Sequence, residues 1–313
     1  MSHKFLEPIK IGNQTVKNRV MFLAMAKNIS NFDDSVSAKD IAYVESVAAG
    51  GVGIVIPGAM IVDHEWPSVL PLQPGIYDDR FIPGLRRLVL AAHKYDAKIL
   101  FQLWHPGATN YSGIDPKTVD ELTKDEIHAI QDKFVAAAKR AMAAGADGIV
   151  TGVLTPAGAL DTDALRPIYA AARQAAEKAH RTVDCTLHRA FDVCCDPFAA
   201  LEAAKQLGLA TILTSGQAAS APQGAALLRQ LVEAAGQEVE ILVGAGVSAA
   251  NIPALAAQTG ARAFHLSGKQ VLDSRMTFRR EGVPMGLPGF SEFEIWQTSE
   301  ANIRAARTAL DAL

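Results

Sequence analysis

The sequence has few cysteines, no long apolar run and no marked excess of charge of either sign. Lys and Arg number 30 against 33 Asp and Glu, and the formal net charge is −3. A nucleic-acid-binding protein usually carries a basic excess, which is absent here. No apolar stretch approaches the roughly 20 residues that span a bilayer, and residues 1–4 lack the apolar segment of a signal peptide. We therefore predict no nucleic-acid partner and no membrane insertion.

The three cysteines are Cys185, Cys194 and Cys195. An odd and clustered set is poorly suited to disulfides, which predicts a reducing cytoplasm. Together with His188 they could be a soft-metal cluster, because thiolates select Cu(I) and zinc. Adjacent cysteines do not easily chelate one ion together, and we expect Cys185 to face the core or the helix layer, where free cysteine is common. The sequence predicts no metal site.

A short pattern recurs four times along the chain: a helix that ends on glycine, followed by a brief apolar run. Glycine ends helices because it adopts the left-handed conformation at low cost. An apolar run of about four to six residues after it is typical of a strand buried on both faces. The four copies are residues 50–55, 145–150, 208–213 and 260–265.

Four further apolar runs, at residues 19–25, 97–103, 183–188 and 240–243, complete a set of eight strands. Helical sequence lies between them, as at residues 81–95, 165–180 and 225–236. Eight such units close into a (β/α)8 barrel, typically of about 250 residues, whereas an open doubly wound sheet more often has about five or six strands. We predict an α/β fold in which residues 1–313 form one closed parallel TIM barrel.

The carboxyl ends of the strands form the active face of such a barrel. Ala24, Met25 and Ala26 follow the first strand and Ala59 follows the second, which leaves room for a flat ligand. Gln102 ends the third strand, and its amide can donate and accept hydrogen bonds, as a ring with alternating carbonyl and NH groups requires. The alternative is that Gln102 only caps the barrel core.

The loops after the last two strands contain Gly244, Gly246, Ser267 and Gly268. In barrels a phosphate often lies between loops seven and eight, on backbone N–H groups and a helix N-terminus. Glycine lets the backbone approach such a phosphate closely. The alternative is that these are ordinary tight turns between strand and helix.

Several motifs in the first half resemble the old yellow enzyme family, in the order that family has them. They are residues 5–13 (FLEPIKIGN), 17–20 (KNRV), 49–53 (AGGVG), 93–98 (HKYDAK) and 102–107 (QLWHPG). The resemblance covers about residues 4–144 and implies an FMN-dependent barrel that reduces activated alkenes with NAD(P)H. It also implies a flavin ring against strands one to three and a phosphate at the loops of strands seven and eight.

The chain departs from that family after its fourth strand. The family has a His-x-x-His or His-x-x-Asn pair there, which holds the substrate carbonyl, whereas this chain has Thr151, Gly152, Val153 and Leu154. The family also places an arginine opposite the flavin N1–C2 edge. Arg189, or His188 beside it, is the strand-five cation that the resemblance implies for this role.

The second half resembles a different barrel family, that of the copper-homeostasis protein CutC. The motifs are residues 151–158 (TGVLTPAG), 188–192 (HRAFD), 213–217 (LTSGQ), 244–247 (GAGV), 265–268 (HLSG) and 276–279 (MTFR). This resemblance covers about residues 145–313, and the family's early cysteines are missing. We predict a recombined or engineered chimera of two half-barrels, 1–144 and 145–313, whose irregularities lie near residues 145–160.

Three functions stay open on these grounds. The first is an FMN-binding barrel with at most residual NAD(P)H-dependent oxidoreductase activity. The second is a CutC-like barrel that binds a metal or a small phosphate compound without flavin, and the third is an inactive scaffold. The catalytic residues and the oligomeric state are not predicted. The predicted FMN-binding residues are Ala24, Met25, Ala26, Ala59, Gln102, Arg189, Gly244, Gly246, Ser267 and Gly268.

Overall fold

Helices and strands alternate along most of the chain in the computed structural model, which describes residues 6–11, 14–65, 72–107, 121–280, 282–283, 291 and 293–313. Residues 5, 12 and 13 of the first motif lie outside the described residues. The strands are β1 Ile9–Ile11, β2 Gln14–Val16, β3 Met21–Phe22, β4 Ile54–Val55, β5 Ala59–Ile61, β6 Lys98–Trp104, β7 Gly148–Thr151, β8 Asp184–Leu187, β9 Thr211–Thr214, β10 Glu240–Val243, β11 Ala263–Phe264, β12 Lys269–Asp273 and β13 Glu294–Thr298. The helices are α1 Ala38–Ala49, α2 Ile82–His93, α3 Lys124–Ala144, α4 Thr162–Lys178, α5 Pro197–Gln206, α6 Ala225–Ala235, α7 Ile252–Thr259 and α8 Glu300–Asp311.

The main sheet is parallel, and its strands follow the order β3-β4-β6-β7-β8-β9-β10-β11, with β5 as a second partner of β6. β4 and β5 together represent the predicted second strand. The three helical stretches named from the sequence correspond to α2, α4 and α6. The predicted α/β architecture of alternating helices and parallel strands is confirmed.

The sheet curls until its two edge strands, β3 and β11, line opposite sides of one cavity of about 370 Å³. Within the described ranges no ladder joins β11 to β3, so the hydrogen bonds run around the barrel except at this junction. The irregularity expected near residues 145–160 was placed wrongly. There, β7 pairs in register with β6 on one side and with β8 on the other.

Two apolar clusters divide the core. The inner cluster fills the barrel and contains Val16, Ile54, Ile56, Leu100 and Val150. The outer and larger cluster lies between strands and helices, because alternate residues of a strand point to opposite faces. In β6 the outward residues Ile99, Phe101 and Leu103 therefore belong to this outer cluster.

The helices begin and end where their terminal residues satisfy the backbone. Thr123 caps α3 and forms a capping box with Glu126, since each side chain accepts from the other's backbone N–H. The same helix ends at Gly145, whose φ of 103° lies in the left-handed region. This glycine turns the chain from α3 directly into β7.

Asp147 joins the strands on the two sides of the predicted boundary. Its Oδ2 accepts from the backbone N–H of Ile99 at 2.9 Å and lies 2.7 Å from Nε2 of His93. Lys98 Nζ lies 3.5 Å from Oδ1. Burial opposes ionisation of this carboxyl, but the hydrogen bonds of His93 and Ile99 outweigh it and lower its pKa.

A two-stranded hairpin, β12–β13, follows the barrel strands and is absent from the sequence-based prediction. Its strands pair antiparallel from Lys269↔Thr298 to Asp273↔Glu294. Every residue of β13 is exposed, Trp296 to 50%. An exposed hairpin of this kind has little packing of its own to stabilise it.

Candidate functional site

Side chains from several strands converge on the inside of the barrel at its carboxyl end. Leu100 and Val150 lie in the inner cluster, so Gln102 and Gly152, two positions further on, face inward as well. Thr186 lines a small inner cavity together with Leu100. By the same rule His188, two residues after Thr186, points into the mouth.

The last two barrel strands bring a second histidine to this level. Leu242 and Ala263 line the cavity between the edge strands, so Gly244 and His265 share their inward orientation. The upper layer of the barrel interior thus contains one amide and two imidazoles. Sequence reasoning quoted His265 within a motif but assigned it no role.

Glycine makes room for both imidazoles. A Cβ at Gly152 would lie 2.9 Å from Cε1 and 3.0 Å from Nδ1 of His188, and one at Gly244 would lie 3.3 Å from Nδ1 of His265. Contacts near 3 Å are too short for a real side chain. The glycines that directly follow β7 and β10 therefore leave room for these rings, and also for Leu187 and Leu213, whose Cδ1 atoms would lie 2.6 and 2.8 Å from the same added Cβ atoms.

Both imidazoles are biased toward the neutral form. Nδ1 of His188 accepts from the backbone N–H of Ala190 at 3.2 Å, which leaves the proton on Nε2. Burial lowers the pKa of His188. Burial, and then the positive charge of Arg189, lower the pKa of His265. Each ring can therefore donate one N–H without carrying a charge at neutral pH.

Arg189 is the cation of the mouth, and two partners orient it. Its Nε donates to Oδ2 of Asp192 at 2.6 Å and its Nη2 to Oγ of Ser215 at 3.1 Å. The side chain is 46% exposed. Among the residues that the structure describes, none accepts a hydrogen bond from Nη1, so one edge of the guanidinium is available to a ligand.

Asp192 is itself held by several donors. It accepts from Oγ1 of Thr214 at 2.5 Å and from the backbone N–H of Ser215 at 2.9 Å. Burial opposes its ionisation, but the bonds from Thr214, Arg189 and Ser215 outweigh burial and lower its pKa. Asp192 thus fixes the direction of Arg189 and was not singled out from the sequence.

The residues predicted under a flavin ring are partly brought together. Ala59 pairs with Gln102 in the β5–β6 ladder. A Cβ at Gly58 would lie 3.0 Å from the carbonyl oxygen of Met25, so the loop after β3 touches the start of β5. Ala26 is exposed and Ala24 half-buried. The amide of Gln102 makes no hydrogen bond within the described part of the chain.

Lys27 lies in the same loop, and its role was missed. Its ammonium donates to the carbonyl of Pro57 and lies 4.6 Å from the ring centroid of Tyr43. Burial lowers its pKa, against a raising effect from Asp40. Lys27 fastens the loop after β3 to the loop after β4 and so places the small residues around it.

The predicted phosphate loops have different surroundings. Gly246 is exposed, has a φ of 69°, and its carbonyl accepts from Asn251. Ser267 is exposed as well. A Cβ at Gly268 would lie 2.3 Å from Cδ1 of Ile303, so close packing on α8 already requires glycine at that position.

The three cysteines differ in burial. Cys185 is buried against the helix layer, as predicted, and burial raises the pKa of its thiol to about 12. Cys194 is buried and Cys195 exposed. Over the described ranges, no three His, Cys, Asp or Glu side chains are grouped so as to hold a metal ion. In those ranges no helix is both long and apolar enough to cross a membrane.

Comparisons with known proteins identify two families. The CutC family model matches residues 108–270, and the NADH:flavin oxidoreductase / NADH oxidase family model matches residues 4–153. A CutC family protein of Vibrio vulnificus strain YJ016 is 42% identical over 204 residues, which cover 65% of this chain and 78% of that protein. One of Chromobacterium violaceum is 44% identical over 167 residues, 53% of this chain and 64% of that relative.

Solved structures share the fold. The old yellow enzyme homologue from Zymomonas mobilis is 18% identical with a TM-score of 0.66, over 84% of this chain and 88% of that one. A 2-naphthoyl-CoA reductase complex with 2-naphthoyl-CoA is 19% identical with a TM-score of 0.64, over 78% of this chain and 46% of that chain. Likeness at this identity concerns the fold alone.

Both predicted family resemblances are confirmed, and the two matches overlap over residues 108–153. The boundary predicted at 144/145 falls inside that overlap and stays a prediction. The alignment with the Vibrio protein, 204 residues long, exceeds the length of segment 145–313. Similarity to CutC therefore begins before the predicted boundary.

Proposed function

We propose that this chain is an FMN-binding barrel. The chain belongs to the CutC family through residues 108–270, and it also matches a flavin oxidoreductase family over residues 4–153. Its activity would be at most a residual NAD(P)H-dependent flavin oxidoreduction. The match to the flavin family covers β3 to β6, where the ring of the cofactor is expected. The origin of the chain as a chimera of two half-barrels is part of the same proposal.

The observation that carries this proposal is the free amide of Gln102. It faces the barrel mouth beside Ala59, and no described residue satisfies it. Polar groups inside a fold are normally hydrogen-bonded, so an amide left open at the mouth fits a ligand with both donors and acceptors. A flavin ring edge offers that combination.

The other residues fit the cofactor as follows. Met25 and Ala26, both exposed, and Ala24 would lie beside or under the ring. Nη1 of Arg189 would meet the N1–C2 edge. Backbone N–H groups near Gly244, Gly246, Ser267 and Gly268 would hold the phosphate. FMN supplies hydride transfer when bound, and NAD(P)H is the expected reductant.

Alkene reduction should be weak even with FMN bound. The flavin family uses a histidine pair after its fourth strand to hold the substrate carbonyl, whereas here Thr151 ends β7 and Gly152, Val153 and Leu154 follow it. Removing one oriented donor of this kind costs about 100- to 1000-fold in rate in other enzymes. Enone turnover near a typical enzyme value of about 10 per second would contradict this inference.

The absorption spectrum of the protein mixed with FMN, together with a binding titration, tests the proposal. A lost hydrogen bond is worth about 0.5–1.5 kcal/mol, so Gln102→Ala should weaken FMN by about 2- to 12-fold. Gly246→Asp should weaken it more, because it places a negative charge near the phosphate. Gln230→Ala, an exposed change on α6, is the control. Unchanged affinity in both site variants would refute the pocket.

A further inference from the structure

We propose that Arg189, His188 and His265 form a binding site for a phosphate group, inorganic or as a small monoester, at the mouth of the second half of the barrel. The site does not depend on flavin binding. A phosphorylated metabolite would bind there in place of FMN, because Nη1 of Arg189 is also the atom proposed to meet the flavin N1–C2 edge. The three side chains come from the ends of β8 and β11.

The guanidinium of Arg189 provides direction as well as charge. Asp192 and Ser215 hold Nε and Nη2, and the side chain remains half exposed. Asp192 is the ion-pair partner of this guanidinium, so Arg189 offers the mouth the donors of its free Nη1 edge rather than an unbalanced charge. The planar fork of arginine matches the oxygens of phosphate, and a fixed fork loses less freedom on binding.

The two imidazoles add neutral donors on either side. The Nδ1 atom of His188 is occupied by the Ala190 N–H, so its Nε2–H is left to donate. The imidazole of His265 makes no hydrogen bond with any described residue, and the charge of Arg189 acts on it. Neighbouring strand ends also connect Arg189 with His265. Nη2 of Arg189 donates to Ser215, the carbonyl of the preceding Thr214 accepts from the N–H of Gly244 at 2.9 Å, and a Cβ at Gly244 would lie 3.3 Å from Nδ1 of His265.

The ligand class follows from this donor set. Nη1 of Arg189 and Nε2–H of His188 are donors without a described acceptor, and the neutral ring of His265 adds one N–H, so the complement is a small anion with several acceptor oxygens. The glycines Gly152 and Gly244 lie directly against His188 and His265, so the two rings occupy the space that larger side chains at these positions would fill. A phosphate offers more acceptors than a single carboxylate and uses Arg189 and both rings at once.

Calorimetric titration of the full chain with inorganic phosphate at constant ionic strength tests the site, with glycerol 3-phosphate and acetate as further probes. Arg189→Gln should weaken phosphate by about 12- to 160-fold, as for a hydrogen bond to a charged group. His265→Phe should weaken it by about 2- to 12-fold. Arg229→Gln, which removes the same charge from an exposed pair on α6, should leave the affinity unchanged.

The two ligands separate this site from the flavin proposal. Gln102→Ala should weaken FMN and leave phosphate binding intact, whereas His265→Phe should weaken phosphate. If the protein binds phosphate but not FMN, the flavin proposal is refuted and the phosphate site is not. No phosphate binding up to about 10 mM, or equal losses in Arg189→Gln and Arg229→Gln, would overturn the phosphate site. If acetate binds as well as phosphate, the assignment to phosphate is wrong.

Discussion

Two joints of the barrel lie where the two proposed half-barrels would meet, and they differ in how well they are closed. At the β6–β7 joint the strands are paired in register and a buried carboxylate ties them together. At the β11–β3 joint, within the described residues, no ladder joins the strands and a cavity of about 370 Å³ lies between them. The joint between β6 and β7, which are joined directly through α3, is therefore better paired than the joint between the edge strands β11 and β3.

The closed joint owes its order to one short segment. Gly145 turns α3 into β7, and Asp147 reaches back to His93 and Ile99 in the first half. Arg181 from the second half donates to the carbonyls of Met142 and Gly145. Hydrogen bonds therefore cross this joint in both directions, from the N–H of Ile99 to Asp147 and from Arg181 to the carbonyl of Met142.

The open joint has no comparable segment. Its cavity is lined mainly by aliphatic side chains from β1, β3, β10, β11 and α8, with the carboxylate of Glu240 in its wall. An unfilled apolar space loses the dispersion contacts that a packed core provides. We expect substitutions at the two joints to have opposite effects on stability.

Removing the carboxylate of Asp147 should cause the largest loss. Asp147→Ala leaves the buried N–H of Ile99 and the ring of His93 without their acceptor, and should lower the free energy of unfolding by about 3 kcal/mol. Urea denaturation measures this loss. Asp273→Ala, which breaks an exposed ion pair with Arg279, should cost less than about 1 kcal/mol. Equal losses of unfolding free energy in the two variants would show that Asp147 stabilises the β6–β7 joint no more than an exposed ion pair does.

The lowered pKa of Asp147 predicts that the protein loses stability in acid. Its pKa is lower in the folded protein than in the unfolded chain. Its contribution is therefore present above the unfolded value of about 3.9 and disappears as the pH falls through the folded pKa. The stability difference between the protein and Asp147→Ala should shrink over that range.

Much of the fold could be predicted from the sequence, because local patterns determine it. Glycine-ended helices followed by apolar runs indicated the parallel strands, and Gln102 was found from its place at a strand end. The order of the β6–β7 joint was not predicted, because it depends on Asp147 reaching partners about 50 residues earlier in the chain. The alternation of helices and strands along the sequence does not reveal such a contact.

The remaining features of the site required three-dimensional placement. His265 and Arg189 are distant in sequence, and only the pairing of neighbouring strands brings Ser215, the partner of Arg189, beside Gly244 and His265. The role of Asp192 follows from the path of the 3-10 turn Arg189–Val193. The hairpin β12–β13 lies beyond the eight repeated units, so the repeat pattern did not indicate it.

Two matched substitutions of alanine by valine compare the packing of the two joints. Ala263→Val in β11 adds volume next to the cavity and a residue that favours strands, and should stabilise the protein by about 0.5–2 kcal/mol. Ala146→Val places the same atoms in the closed joint, where Ala146 is fully buried, and should destabilise by about 1–3 kcal/mol. Thermal and urea unfolding give both values. Effects of the same sign would mean that the joints are packed alike.

The smallest effect is expected at Glu240, in the wall of the open joint. Burial raises the pKa of this carboxyl, and Arg262, 3.7 Å away, and Arg19 only partly oppose the rise. A raised pKa means that the folded protein favours the protonated form. The associated stability is present below the unfolded pKa of about 4.3 and is lost as the pH rises through the folded value, which is opposite in sign to Asp147.

Glu240→Gln tests this last contrast, because glutamine keeps the shape of the side chain without its charge. The variant should be more stable than the parent protein at pH 7 to 8, and the gain should vanish near pH 4, where the parent is protonated in both states. Melting temperatures across this range provide the measurement, with Glu233→Gln on the exposed face of α6 as the control. If the variant is less stable than the parent protein at pH 7, the attraction between Glu240 and Arg262 outweighs the cost of burying the carboxylate. The ion pair would then stabilise the open joint.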